Sequence, residues 1–192
     1  MQKDNRRWQL RERTTQAHEA LDSLIGTFDS EGAYRAYLSG MAAFRLGVEP
    51  LLAPDRLPPA LAGYQPSLIG AELLLDIDDL GLQRPEPAAM AGIGDCGDSL
   101  FGVLYVLEGS ALGARLLVKS AEKLGFDGSC GARHLVRQSA ELDTWRDYLK
   151  RLDEAEGLDI ERAADAASRT FDAARAAFGA AMRGGSVVAP VA

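Results

Sequence analysis

The chain has 192 residues and a net charge of −7, and its shares of hydrophobic (47%) and charged (26%) residues are those of an ordinary globular protein. This length fits one domain with a sizeable core. The acidic balance argues against nonspecific nucleic-acid binding, because phosphate contacts need a basic surface. No apolar run approaches the roughly 20 residues that span a bilayer, so we expect no membrane attachment.

The N-terminal stretch and the two cysteines indicate the cellular compartment of the protein. The N-terminus, MQKDNRRWQLRERT, is charged and lacks the apolar stretch of a secretory signal. Cys96 and Cys130 have neither metal-ligand spacing nor a disulfide framework, which suits a reducing cytoplasm. We expect a cytoplasmic protein in which residues 1–183 form one domain and residues 184–192 a flexible tail.

Apolar residues recur at intervals of three and four along most of the chain, and strand signals are nearly absent, which predicts an all-α fold. Gly26 is a plausible end of the first helix, and Ser30 is a good N-cap for the second. Four prolines in the stretch 54–68 predict a connector. The helices are predicted at about residues 5–25, 30–50, 67–80, 98–124, 142–156 and 159–182.

The helix predicted at 98–124 is apolar nearly all round, which favours a buried central position. It contains Gly102, Gly109 and Gly113, and each helical glycine costs about 1 kcal/mol relative to alanine. At 100° per residue the three lie within about 40° on one face. Two interpretations remain open: a close contact between helices, or a flat surface for a planar ligand.

His18, on the first predicted helix, is a candidate metal ligand. Asp22 follows one turn later on the same face. A carboxylate there could accept the ring N–H and leave the other nitrogen free for a metal. An ordinary surface histidine beside an acidic residue fits the same pattern. The other histidine, His134, is interpreted as structural or solvent-exposed.

Two stretches, LRERTTQAHEALD and YVLEGSALGARLL, together resemble the proximal and distal helices of the bacterial haem oxygenases. The first has a threonine shortly before the histidine and an acidic residue four positions after it. The second follows the pattern Y-V-x-E-G-S-x-L-G-A. GARHL, followed by a tryptophan-containing helix, is also similar, and the resemblance extends from about residue 9 to residue 182. It implies a single-domain, haem-oxygenase-like bundle of helices.

The resemblance also implies roles for individual residues. His18 corresponds to the proximal ligand of the haem iron, and Gly109 and Gly113 to the distal glycines over the oxygen-binding face. Ser110 stands near the position where mammalian relatives carry an acidic residue that anchors water. These three distal residues are therefore the candidate catalytic residues.

Four further residues match positions that bind the haem propionates. Arg11 and Tyr105 match a basic residue and a tyrosine of this kind. Arg146 and Lys150, one turn apart on the tryptophan-containing helix, match two more basic positions less closely. Each would meet a carboxylate through a charge-assisted hydrogen bond.

The implied reaction uses haem as both substrate and cofactor and converts it, with O2 and electrons, to biliverdin, carbon monoxide and ferrous iron. The sequence has no flavin or nicotinamide fingerprint, so we expect a separate electron donor, a reductase or a ferredoxin. Nothing in the sequence requires more than a monomer.

Other functions are compatible with parts of the pattern. A haem-binding carrier or sensor without turnover would use the same histidine. A non-haem di-iron oxidase would need Glu-x-x-His pairs, which this sequence lacks. A thiaminase-like hydrolase would need a cysteine nucleophile in a pocket, whereas Cys96 and Cys130 both lie in predicted loops.

Overall fold

The structure is a computed structural model that describes residues 5–94 and 96–184. Apart from Gly184, the predicted tail at 184–192 lies outside the described residues. The all-α prediction is confirmed. The described part of the chain forms α1 (Arg6–Ile25), α2 (Glu31–Val48), α3 (Gly70–Asp79), α4 (Gly97–Lys123), α5 (Arg133–Ala140), α6 (Leu142–Glu154) and α7 (Ile160–Gly184), with short 3-10 helices at Glu49–Leu52 and Pro59–Leu61.

The helix ends follow local capping chemistry. The Asn5 side chain accepts a hydrogen bond from the N–H of Trp8 at 3.2 Å and starts α1. Gly26 ends the same helix with φ of 60°, a conformation that favours glycine. The Ser30 hydroxyl accepts from the N–H of Ala33 at 3.2 Å, so the predicted cap of α2 is confirmed.

Two helices differ from the prediction because their N-termini are stabilised by distant carboxylates. α3 begins at Gly70 rather than near residue 67, and Glu49 accepts from the N–H groups of Ile69 and Gly70 at 2.8 and 3.1 Å. α5 was not predicted at all. Asp76 of α3 accepts from the N–H groups of its first two residues, Arg133 and His134, both at 3.0 Å.

α7 is the central support of the fold. Helices α1, α2 and α4 pack against it, while α5 and α6 pack against α4. The contact between α4 and α7 is close, because a Cβ at Gly102 would lie 1.9 Å from the carbonyl oxygen of Ala163. The contact between α2 and α7 is also close, since a Cβ at Gly40 would lie 2.9 Å from Cα of Phe178. Glycines and alanines therefore let these helices meet backbone to backbone.

By length and composition α4 could cross a membrane, which departs from the prediction from sequence. That prediction counted apolar runs, and Glu108 and Arg115 interrupt this one. Half of its most apolar window, 50%, is buried inside the protein. A core helix has the same properties, and packing against three other helices accounts for the composition of α4.

Candidate functional site

His18 lies on the exposed side of α1, with 59% of its side chain accessible. Its Nδ1 is 3.0 Å from a carboxylate oxygen of Asp22, so the contact predicted from the sequence is present. With the proton on Nδ1, Nε2 is left with a free lone pair. The ring packs edge-on against Phe171 of α7, with centroids 5.7 Å apart. This arrangement presents an oriented, accessible nitrogen.

Contacts on both sides hold α1 in place. Leu10 and Thr14 are buried, and the Thr14 hydroxyl donates to the carbonyl of Leu10 at 2.7 Å. Arg6 donates to the carbonyl of Leu152 in α6 at 2.7 Å, and Arg13 forms an ion pair with Glu161 of α7. The helix that carries His18 is thus fixed against two neighbours.

The three glycines of α4 have different surroundings. Gly102 is required by the close contact with α7, as the helix-packing interpretation expects. A Cβ at Gly109 would make ordinary contacts of 3.7 and 3.8 Å with the ring of Trp145. A Cβ at Gly113 would meet no atom of the residues that the structure describes within 4 Å. Helix packing therefore explains the first glycine and leaves the third without a structural reason.

The surface around Gly113 is apolar. Leu112 is 48% exposed and Leu116 is 72% exposed. The two lie one turn apart on α4, on the same face of the helix. An exposed apolar surface beside a glycine with free space is suited to an apolar ligand.

Ser110 is held by a residue that the sequence reasoning missed. Gln138 of α5 is buried, and its side-chain N–H donates to the Ser110 hydroxyl at 2.6 Å. Ser110 in turn donates to the carbonyl of Leu107. One lone pair of the hydroxyl then remains available to accept from water. No sequence signal pointed to Gln138, because it lies on the unpredicted helix.

Tyr105 lies where α1, α4 and α6 meet. Its ring centroid is 5.9 Å from that of Trp145. Burial raises the pKa of Tyr105, while a hydrogen bond with Thr14 and the positive charges of Arg7 and Arg11 act in the opposite direction. The structure therefore brings the predicted Arg11 and Tyr105 to one place, near Gly109 and together with Arg7, which was not predicted.

The structure places Arg146 and Lys150 on the exposed side of α6. Arg146 is 75% exposed and donates to Asp143 at 2.8 Å. Lys150 lines a cleft with Asp147, Glu154 and other residues of the α6 end and of the second 3-10 helix. Within the described part of the chain, neither cation forms a hydrogen bond or ion pair with Tyr105, so their role stays a prediction.

His134 belongs to a buried polar cluster formed by Asp76, His134, Arg45 and Glu108. Of the two alternatives predicted for this histidine, the structural one holds, and a solvent-exposed position is wrong because the side chain is fully buried. Its Nδ1 lies 2.7 Å from Asp76, and both side chains are fully buried. Burial lowers the pKa of His134, although the hydrogen bond and charge of Asp76 oppose this. Burial likewise raises the pKa of Glu108, against hydrogen bonds from Ser67 and Tyr64 and the charge of Arg45.

The chain has relatives of known description. It is 30% identical over 172 residues to heme oxygenase PigA of Pseudomonas aeruginosa, an alignment that covers 83% of this chain and 86% of that protein. Its fold matches that of the heme oxygenase of Neisseria meningitidis, solved in NO- and CO-bound forms, with a TM-score of 0.76 and 24% identity. That match covers 98% of this chain and 96% of the other. No protein-family model matches the chain.

Proposed function

This chain belongs to the bacterial haem oxygenase family and is a haem-degrading oxygenase, and from that premise we propose how its residues bind and cleave the substrate. His18 binds the haem iron through Nε2, while Asp22 accepts the proton of Nδ1 and fixes the tautomer. The exposure of His18 and the orientation given by Asp22 and Phe171 support this assignment.

The free space at Gly113 is the observation that carries the proposal. A glycine in a helix costs about 1 kcal/mol relative to alanine, and none of the described residues requires one here. The space is therefore kept for the substrate, with Leu112 and Leu116 contributing apolar surface and Gly109 backed by Trp145. Haem is planar and largely apolar, so the residues present fit it.

Bound haem supplies the iron chemistry that activates O2, and the protein supplies orientation and protons. The main chain at Gly109 and Gly113 comes close to the reacting face, because no side chain intervenes. Ser110, held by Gln138, accepts a hydrogen bond from a water molecule and positions that water as a proton source. The products are biliverdin, carbon monoxide and ferrous iron.

In this proposal Arg11 and Tyr105 are the principal partners of the haem propionates, and Arg146 and Lys150 are secondary partners. The joint position of Arg11 and Tyr105 supports the first pair. Electrons come from a separate reductase or ferredoxin. The enzyme works as a monomer in the cytoplasm, and both described cysteines are free thiols, which suits a reducing compartment.

Optical spectroscopy of the haem complex tests the function. With ascorbate or a reductase, the Soret band should decay and a biliverdin band should replace it. Persistence of the Soret band without a bilin product would instead identify a haem carrier or sensor. Chromatography of the product then identifies the bilin isomer.

Gly113→Leu tests the distal assignment. The new side chain enters free space, so the protein should fold, bind haem in part and lose turnover. Lys119→Leu is a matched control, because it adds a leucine at an exposed position of the same helix. If Gly113→Leu turns over haem as fast as the control, the distal assignment is wrong.

A further inference from the structure

The first turns of α1 carry four arginines, and the structure divides them into two pairs. Arg6 donates to main-chain carbonyls of α6, and Arg13 is paired with Glu161. Arg7 and Arg11 form no ion pair with any carboxylate among residues 5–94 and 96–184. They are four residues apart and share one face of the helix. Neither guanidinium has a carboxylate partner among the described residues, and each lies over a tryptophan ring, Arg7 over Trp145 and Arg11 over Trp8, with 5.9 Å from the Arg11 guanidinium carbon to the ring centroid. Two such cations on one face are suited to a ligand with negative charge.

The surroundings of Arg7 connect it to the substrate site. Its guanidinium carbon lies 5.7 Å from the ring centroid of Trp145, a cation–π contact. The same ring lies 3.7 Å from the Cβ position of Gly109 and 5.9 Å, between centroids, from Tyr105. Arg7 therefore occupies the corner formed by Trp145, Tyr105 and Gly109. The guanidinium over the ring still offers N–H groups at its edge for a carboxylate.

The cations of α6 are less suited to this role. Arg146 already donates to Asp143 at 2.8 Å. Lys150 shares its cleft with Asp147, Glu154 and Glu156. A carboxylate that approached either cation would have to compete with carboxylates of the protein itself. Arg7 has no such competitor in the described part of the chain.

We propose that Arg7 is a substrate-binding residue, which together with Arg11 binds the two carboxylates at the edge of haem, so that α1 supplies the main cations of the carboxylate subsite. The inference rests on the proposed function, since it assumes that haem binds beside His18. Two guanidinium groups match the two propionates in number, and the Tyr105 hydroxyl, which lies beside Thr14 of α1, offers an additional donor.

Binding of two ligands that differ in the charge of their propionate groups tests the proposal. Ferric haem and its dimethyl ester are titrated into the wild type, Arg7→Ala, Arg7→Lys and, as a control, Lys123→Ala. Arg7→Ala should weaken haem binding about tenfold, the effect of losing one charge-assisted hydrogen bond, and should leave binding of the ester nearly unchanged. Arg7→Lys should recover part of the loss, and Lys123→Ala, at the exposed far end of α4, should show none.

Two results would overturn the role of Arg7. Equal loss of affinity for haem and for the ester would mean that Arg7 acts by packing on Trp145. An unchanged Kd for haem would mean that it does not act at all. If the wild type takes up haem and only the Arg7 effect is missing, the proposed function stands. If the wild type takes up neither ligand, the proposed function fails as well.

A measurement on the haem-free protein checks the geometry independently. Ultraviolet titration of tyrosinate, with Tyr105→Phe identifying the signal, reports the pKa of Tyr105. Because the positive charge of Arg7 lowers that pKa, Arg7→Ala should raise it, and Lys123→Ala should not. An unchanged Tyr105 pKa in Arg7→Ala would place the guanidinium away from this corner and contradict the proposal.

Discussion

The two histidines have the same kind of partner and opposite surroundings. His18 lies 3.0 Å from Asp22 at an exposed position on α1, and His134 lies 2.7 Å from Asp76 with both side chains fully buried. In each, a carboxylate orients the ring through Nδ1. The Nε2 of His134 has no partner among the described residues, but it is sealed from any ligand. Access to the second nitrogen, rather than the acidic neighbour, therefore distinguishes His18, the proposed ligand, from the buried His134.

The strongest test of this comparison exchanges each histidine in turn. His18→Ala should abolish the spectrum of histidine-ligated haem, and added imidazole should restore it by entering the space of the lost ring. His134→Gln should keep the spectrum while lowering stability. A spectrum unchanged in His18→Ala would assign the ligand to another residue and remove the distinction.

Removal of the two carboxylates should affect stability very differently. Asp76 accepts from Arg133 and from both the main chain and the ring of His134. Asp76→Ala should therefore lower the free energy of unfolding by about 3–5 kcal/mol, the range for a broken buried pair. Asp22→Ala, on the surface, should change it by less than about 0.5 kcal/mol. Urea denaturation of the haem-free protein measures both, and similar losses would contradict the comparison.

Two of the three glycines of α4 show a similar contrast, since Gly102 is packed against α7 and Gly113 faces open space. Gly102→Ala forces a Cβ against Ala163 of α7, and we expect it to cost about 1–3 kcal/mol of stability. Gly113→Ala should instead stabilise the haem-free protein by up to about 1 kcal/mol, the helix propensity of alanine. Thermal unfolding of both variants measures these two changes in stability. A loss of stability in Gly113→Ala would show that the protein itself needs this glycine.

The last comparison concerns the dependence of stability on pH. Burial holds the pKa of His134 below its ordinary value of 6.5. As the pH falls below 6.5, His134 is therefore protonated in the unfolded chain before it is protonated in the folded protein. The stability associated with neutral His134 is thus complete above pH 6.5 and declines as the pH falls, by at most about 1.4 kcal/mol per pH unit. His134→Gln should flatten this part of the pH profile, and Lys123→Ala should keep it. A profile equally steep in His134→Gln would mean that other groups cause the decline.

The sequence predicted features whose causes are local. Ser30 and Gly26 act on their own helices, and Asp22 is one turn from His18, so sequence spacing was sufficient. The α5 helix was missed because the carboxylate that stabilises its N-terminus, Asp76, lies on another helix, far away in the chain. Its eight residues follow a glycine-rich loop and carry no cap of their own.

The same distinction between local and distant causes applies to the residues of the candidate site. The three glycines of α4 look alike in the sequence, and only the position of α7 distinguishes Gly102 from Gly113. Arg7 and Gln138 were missed because their partners, Trp145 and Ser110, come from distant parts of the chain. Residues that act through tertiary contacts need the fold before their role can be inferred.

The free space at Gly113 also makes α4 unusually open to redesign. Most positions of a core helix resist change, because a new side chain must displace its neighbours. At Gly113 a side chain is added without displacing any described residue, so the surface where we propose that haem binds can be altered independently of folding. Small polar substitutions there offer a way to change the proposed haem-binding surface, while Gly102, about three turns away, keeps its contact with α7.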